Sequence, residues 1–524
     1  SVNMWKDYKE TESIRTRPAM ELFEQFDDTI YGIFFYTVGD TEMMIVHSGT
    51  ELYKVVNGVK TLLRIENTLN TLVCNRRNSN AFIFNNIWYF LDGKNYLRFD
   101  GKYLTKVDGY VPTTSSTKTS SGSGRTFEDV NMLSDYRINT FRGDGKSTVF
   151  YLDVEDAETV VSATCNGIDW SCSLTDGGKI EFINVPPAPL TDGQDNIVVK
   201  FKKTVAGYRE KITNWTLLQV FDNRVFFSGN PDFPNMIWHC SLNDPTYCSD
   251  LDYYNEGLDN ARVTGMVAGN NALWVFKEPS QANTTVFYHT PTIDADYGKV
   301  YPSQHSSIST GCVGKAINFN DDIVFFSKRG MEGINGDITT EQVVAHRSSL
   351  VDRKLVAEVD YENMILEEWK GYLVVIIGNK AYLADSRAMF TNENHIEYEW
   401  FYWEFSKRIT CAKVNNGILY LGTEDGVYTL TDTTSYIESY WVTPKDKFKY
   451  PQYLKTTKGD ISVYAKTEKT DFELIGTYEN IADSFVCRIK RKKFKDIQLK
   501  FYSKKRFSLE TATLECFIGG YIKR

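Results

Sequence analysis

The residues with the most obvious chemistry lie in one turn-rich stretch, "NPDFPNMIWHCSLNDPTYCSD" (Asn230–Asp250), which carries His239, Cys240 and Cys248. Imidazole and thiolate together are zinc ligands. Structural zinc sites, however, use closely spaced Cys/His pairs and four ligands, and a fourth is missing here. His289, His305 and His346 stand at no ligand spacing. The chain has 6 histidines in all and no His/Ser or His/Cys grouping, so nucleophilic catalysis has no support. The expectation is a loop histidine with its hydrogen bonds met beside small buried thiols. No catalytic residue, metal ligand or cofactor is assigned.

Three further motifs invite a chemical reading. "FRGDGKST" (Phe141–Thr148) has the tail of a phosphate-binding loop, but that loop needs a glycine where Thr140 stands, and a helix after it. "TVFYLDV" follows instead and reads as a strand, so the motif is a Gly-Asp-Gly turn. "GTEDGVYTL" (Gly422–Leu430) resembles the Asp-box turn of sialidase propellers, but Gly426 directly follows Asp425 and an Asp-Gly hairpin fits better. A carboxylate pair for glycoside cleavage could hide among the many acidic loop residues, and no spacing singles one out. "RIKRKKFK" is the one basic cluster: Arg488, Lys490, Arg491, Lys492, Lys493 and Lys495 form a candidate basic contact strand. It suits nucleic-acid phosphate or an acidic neighbour; lysines also guard edge strands against unwanted pairing.

The elements that must position these residues are strands. A hairpin pattern recurs, with an alternating apolar strand, a short Asn/Asp/Gly turn and an aromatic-rich strand. It starts at Glu42, Asn85, Asp222, Asn270, Asp321, Trp369 and Asn415. From Asp222 onward the starts are 48, 51, 48 and 46 residues apart, and Glu42 to Asn85 is 43. A four-stranded propeller blade takes about 40 to 50 residues, so the period predicts a β-propeller of six or seven blades. Neither the WD40 signature nor the kelch double glycine is present.

One interval breaks the period: 137 residues separate Asn85 from Asp222. It holds a Ser/Thr/Gly tract, Pro112–Asp129, too polar for a core, and then alternating strands. The expectation is a flexible tract plus an inserted β-sandwich-like domain over 112–212, with two degenerate blades as the alternative. The remaining boundaries are an N-terminal arm at 1–25, first blades at 26–111, further blades at 213–438, and a lysine-dense β-rich layer at 439–524 that closes or covers the propeller. The fold class is all-β.

Bulk composition narrows the function. Aromatic content of 14% favours strands, and a net charge of -9 argues against a surface that embraces nucleic acid throughout. The longest apolar run, "YLVVII" (Tyr372–Ile377), is strand-sized and far short of a membrane span. The start has no signal pattern, and 9 scattered cysteines suit reduced thiols better than a disulfide framework. The sequons at Asn214 and Asn283 are then chance matches.

Phrases distributed over most of the chain resemble one family. "VFFSGNPDFPNMIWHCSLNDPTYCSDLDYYNEG", the following "GMVAGNNALWVFKEPS", the opening "WKDYKETESIRTRPAM" with its Arg-x-Arg-Pro motif, and the ending "RFSLETATLECFIGGYIKR" are similar to the β-propeller tail hub, nozzle or DNA-stabilisation proteins of short-tailed bacteriophages. The likeness fails mainly across the insertion. It implies a non-enzymatic virion protein assembled in the bacterial cytoplasm, in a homo-oligomeric ring of six copies. That ring would sit below the portal and adaptor, extending the DNA channel and helping to retain and deliver the genome. Partners would be portal, adaptor and other tail proteins, with double-stranded DNA in transit and no membrane insertion. On this reading Pro231, Phe233, Pro234, Trp238 and Tyr247 form a subunit-interface loop, prolines stiffening it and aromatics anchoring it. The N-terminal arm, lacking a core pattern, likewise reaches a partner. The alternatives are a carbohydrate-binding or glycan-cleaving tail propeller, and a monomeric protein-interaction propeller.

Overall fold

The computed structural model describes residues 1–7, 10–66, 72–281, 284–295, 298–306, 308–335, 343–392, 395–432, 436–443, 446–447, 455–482, 485–487 and 496–512. The protein is all-β. Among the described residues helix is confined to Tyr208–Thr213, Asp352–Leu355 and a single 3-10 turn at Tyr361–Asn363.

Seven of the sheets are four-stranded antiparallel meanders that follow one another along the chain. The second strand of each lies mostly buried on both faces, as in Ile87–Leu91, Arg224–Ser228, Ala272–Lys277 and Tyr372–Ile377. That is why these strands read as unbroken apolar runs rather than as an alternation. In six of the seven, the first two strands are joined by a two-residue turn with positive φ at both positions. These are Asn85-Asn86, Asp222-Asn223, Asn270-Asn271, Asn320-Asp321, Lys370-Gly371 and Asn416-Gly417. Such turns match the twist of the flanking strands, and Asn, Asp and Gly enter the left-handed region most readily.

By packing, the chain divides into two compact units. One, Phe34–Cys312, carries four repeat sheets and the insertion. Its sheets stack in sequence: Ile45 and Leu52 of the first meet Trp88 and Phe90 of the second. Tyr89 and Leu91 meet Val225 and Phe227 of the third, and Phe226 and Ile237 meet Leu273 and Val275 of the fourth. The first strands of the second, third and fourth sheets are neighbours, as in successive propeller blades.

Between the second and third sheets stands the insertion. A six-stranded sheet (Thr113–Lys118 to Ile197–Lys202) faces a three-stranded one (Val149–Tyr151, Cys172–Thr175, Lys179–Phe182) over a core of Phe141, Phe150, Ile180, Val199 and Phe201. The Ser/Thr tract is not a flexible linker. Thr113–Lys118 is a strand of the larger sheet, paired in parallel with Tyr136–Phe141, with Thr114, Ser115 and Lys118 buried. The hydroxyls find acceptors there: Thr114 Oγ1 donates to Ile138 O and Ser115 Oγ to Arg125 O. Once satisfied in this way, the β-branched threonines are ordinary strand residues.

The second unit comprises Ser1–Ile33, Val313–Gly336 and Val343–Arg524. Its fifth and sixth repeat sheets pack Phe319, Val324 and Phe326 against Leu373, Val375 and Ile377, and the other face of the sixth packs on Leu419 and Leu421 of the seventh. The seventh sheet takes three strands from Cys411–Thr431 and its fourth, Ala19–Gln25, from the N-terminus. The remaining N-terminal strands, Met4–Asp7 and Glu10–Thr16, join an eight-stranded C-terminal sheet beside Phe507–Thr511. The expected free arm is therefore built into its own chain.

Candidate functional site

The densest convergence of distant residues is the place where that N-terminal segment is held. Trp5 stacks on Trp369 at 5.4 Å and meets Trp403 edge-on at 5.5 Å, while Trp403 Nε1 donates to Met4 O. Tyr372 donates its hydroxyl to Lys6 O, and Lys6 pairs with Glu399 at 2.6 Å. The Arg-x-Arg-Pro residues sit at the centre. Arg15 pairs with Asp7. Arg17, only 6% exposed, donates Nε to Asn3 Oδ1 (2.9 Å), Nη1 to Pro18 O (2.8 Å) and Nη2 to Glu404 O (2.7 Å). Asn3, in the left-handed region at φ 55°, also takes Glu404 N onto Oδ1 and gives Nδ2 to Glu438 O. Burial lowers the Arg17 pKa to about 10, with Glu404 opposing the shift, so the guanidinium stays charged at neutral pH. Two side chains thus fasten the sixth repeat sheet, the N-terminal strands and the approach to the C-terminal sheet. A five-donor fork is suited to such a junction, where an ammonium is not.

The Asn230–Asp250 stretch turns inward. Of the expected interface residues, Pro231 is exposed, Phe233, Pro234 and Tyr247 are half-buried, and Trp238 is 2% exposed. Trp238 meets Trp215 edge-on at 5.1 Å and Phe233 at 5.5 Å, in a core with Val225 and Phe227. The Lys211 ammonium lies over the rings of Tyr208, Phe233 and Trp238. Tyr247 Oη donates to Asp129 O. Trp238 as a partner-facing anchor is thus corrected: it is a core residue of the third repeat sheet, and the prolines shape the turn that delivers it. His239 is buried, with Nδ1 3.0 Å from Cys240 O, and desolvation lowers its pKa to about 4. Its approach to Asp252, raised by burial to about 6, is therefore no ion pair at neutral pH. Cys240 Sγ accepts from Val225 N, and burial pushes that thiol up to about 12 and the Cys248 thiol well above its ordinary value, against the thiolate a metal needs. The eight described cysteines are all free. Among the described residues no group of three His, Cys, Asp or Glu side chains is arranged to hold a metal ion.

The remaining motifs resolve simply. In the Gly-Asp-Gly turn, Asp144 accepts from Lys146 N, Ser147 N and Ser147 Oγ, so a side-chain carboxylate occupies the centre that a phosphate would need. These bonds hold it well below the usual carboxylate range. Asp425 pairs with Lys407 at 2.5 Å and accepts from Thr423 and Tyr428. The basic strand Arg488–Lys495 lies outside the described residues.

Sequence reasoning missed a buried acid–imidazole pair in the first unit. Glu256 and His289, both 0% exposed, meet at 2.9 Å through Oε1 and Nε2. Ser303 Oγ donates to Glu256 Oε2, and His289 Nδ1 lies 2.8 Å from Tyr301 O, so Nδ1 carries a proton. Lys277 Nζ donates to Glu256 O and to Asp259. These are the residue types of a hydrolytic triad in the wrong order: the serine bonds the carboxylate instead of the imidazole and activates no nucleophile. The arrangement staples the end of the third repeat sheet to the fourth. Its members lie 33 and 47 residues apart with no motif to mark them.

No family model matches the chain, and no curated protein matches it. Among solved structures, BamB from Moraxella catarrhalis is similar at 10% identity with a TM-score of 0.35, over 79% of this chain and 97% of that one. An exo-beta-1,3-galactanase from Phanerochaete chrysosporium is similar at 8% identity with a TM-score of 0.24, over 93% and 100%. Likenesses at these TM-scores carry no argument about function.

Proposed function

We propose that this chain is a non-enzymatic structural protein of a short-tailed phage tail, in which the repeat sheets serve as β-propeller blades. Copies of it build a hub or nozzle ring that continues the DNA channel below the portal and adaptor. The observation that carries this reading is the treatment of the Arg-x-Arg-Pro segment, one of the phrases that resembles the tail family. Its Arg17 is the buried keystone of a clasp, and the strand that follows, Ala19–Gln25, completes the last repeat sheet. A last blade completed by a strand from the N-terminus resists opening, which is what a conduit under the pressure of a packaged genome requires. Free thiols at the eight described cysteines suit assembly in a reducing compartment. The exposed faces of the insertion, with Ile168, Ile183 and Leu190 in solvent, offer surface for neighbouring copies.

The test is mass and shape of the purified chain, by light scattering and negative-stain microscopy, alone and with portal and adaptor. The expected result is a closed ring with a hole wide enough for duplex DNA. A monomer under all of these conditions refutes the reading.

A further inference from the structure

The charge of this protein is divided unevenly along its length. Residues 439–524 hold 19 Lys/Arg against 10 Asp/Glu, a balance of +9, while the first 438 residues hold 40 against 58, a balance of -18. The C-terminal sheet belongs to this basic segment of an otherwise acidic chain; its own described residues from 439 on hold 9 Lys/Arg against 8 Asp/Glu, and the excess lies in stretches such as 488–495 outside the described residues. Its strands have one apolar face, made by Ile461, Val463 and Ala465 with Ile497, Leu499 and Phe501, which packs into a core. The opposite face carries Tyr464 and Lys466 on one strand, Gln498, Lys500 and Tyr502 on the next, and Tyr440 beyond. The register places Tyr464 opposite Lys500, and Tyr440 opposite Tyr502. All six side chains are half-buried.

The centre of this face is Lys500. Its ammonium lies 4.3 Å from the ring centre of Tyr440, 5.3 Å from Tyr502 and 5.9 Å from Tyr464. Among the described residues it pairs with no carboxylate, so three rings hold the cation without consuming its hydrogen-bond donors. The neighbouring Lys466 pairs with Asp471 at 3.0 Å, and Asp471 is almost fully in solvent, which makes that pair weak and exchangeable. Glu438 engages the Tyr502 hydroxyl, and Asp496 closes the end of the strand. A cation with free donors framed by flat rings, in a segment of net positive charge, is complementary to a phosphodiester beside a base.

We propose that the Tyr440–Tyr464–Tyr502 face of the C-terminal sheet binds a single strand of nucleic acid, with a backbone phosphate at Lys500 and bases stacked on the tyrosine rings. Stacking of this kind tolerates any base and is the common mode of sequence-independent single-strand binding on sheets. The proposal is independent of the tail reading: binding and ring formation are separate measurements, and either can fail alone.

The test is fluorescence anisotropy of a labelled oligothymidylate with the full-length chain, at about 50 mM salt, where phosphate contacts are strongest. Lys500→Glu is expected to weaken binding at least about tenfold, and Tyr464→Ala by roughly 5- to 100-fold, the range of one lost stacking contact. Tyr464→Phe keeps the ring and should bind within about twofold of the parent. Lys200→Glu, on the insertion, serves as the control and leaves binding unchanged. Circular dichroism checks each fold; should Lys500→Glu unfold, Lys500→Gln with Gln498→Glu replaces it. Failure of the parent chain to bind, equal binding by the Lys500 and Tyr464 variants, or tighter binding of a duplex than of the single strand each overturns the proposal.

Discussion

Replacing Arg17 by methionine tests whether the N-terminal clasp holds the second unit closed. Methionine keeps most of the apolar stem and removes the guanidinium, with its bonds to Asn3 Oδ1, Pro18 O and Glu404 O and its position 5.0 Å from the Phe405 ring. Charge-assisted bonds contribute about 1.5–3 kcal/mol each, and the carbonyls left behind lose a donor in a dry place. Part of this is recovered because the variant no longer buries a cation. A net loss of roughly 3–5 kcal/mol follows, and at about 4 kcal/mol the open fraction rises close to a thousandfold. The opening is local: Met4–Asp7 and Glu10–Thr16 leave the C-terminal sheet, and Ala19–Gln25 leaves the seventh repeat sheet. Amide exchange over these strands, with limited proteolysis of residues 1–25, reads the population directly. Arg17→Lys restores the charge without the fork and is expected to fall between parent and methionine variant. Arm protection within about twofold of the parent in Arg17→Met would refute the assignment of Arg17 as the keystone.

Three further outcomes follow from the buried chemistry. Glu256→Gln leaves His289 in a dry site without its carboxylate and is expected to destabilise the first unit by about 3–5 kcal/mol, read as a lower urea midpoint. Trp238→Ala removes a fully packed indole and should cost roughly 3–5 kcal/mol in the isolated chain; a normal unfolding midpoint with impaired assembly would return it to an interface role. His346, hydrogen-bonded to Asp352 and close to Glu332, has its pKa raised from 6.5 to about 9. Because the folded pKa is the higher one, its stabilisation is fully present below pH 6.5 and disappears as pH rises through about 9. Discounted for partial exposure, His346→Gln should lower stability by about 1–2 kcal/mol at pH 6 and by almost nothing at pH 10, a difference that urea titrations at the two pH values resolve.

The repeat was legible because its marker is local. Asn-Asn, Asp-Asn or Asn-Gly before an apolar strand is dictated by two consecutive left-handed residues, and that requirement does not depend on distant contacts. Lys370 is the exception that shows the rule: the sequence Trp-Lys-Gly hides a turn of the same kind, betrayed only by Gly371. The clasp was illegible for the opposite reason. Met4, Trp5 and Arg17 form no periodic apolar face, and their partners Trp369, Trp403 and Glu404 lie hundreds of residues away. Trp238 was misplaced because Asn-Pro and Phe-Pro mark a turn correctly but do not say which way the following aromatic strand faces. The Ser/Thr tract failed on composition: polarity argues against a core, yet hydroxyls that find carbonyl acceptors pack in a strand as readily as methyl groups.

The uneven charge bears on how tightly the tyrosine face can hold a single strand. A balance of -18 over residues 1–438 repels phosphate rather than drawing it in. The tyrosine face adds a contact of limited strength: with Lys466 and Lys500 as its cations, the single-strand salt slope is about -1.4, so affinity falls only about sevenfold between 50 and 200 mM salt. Stacking supplies the rest and is insensitive to salt, which predicts residual binding where a purely electrostatic patch would have let go. A slope several times steeper would place the contact on the wider lysine content of residues 439–524 instead, and the tyrosine variants would then bind as the parent does.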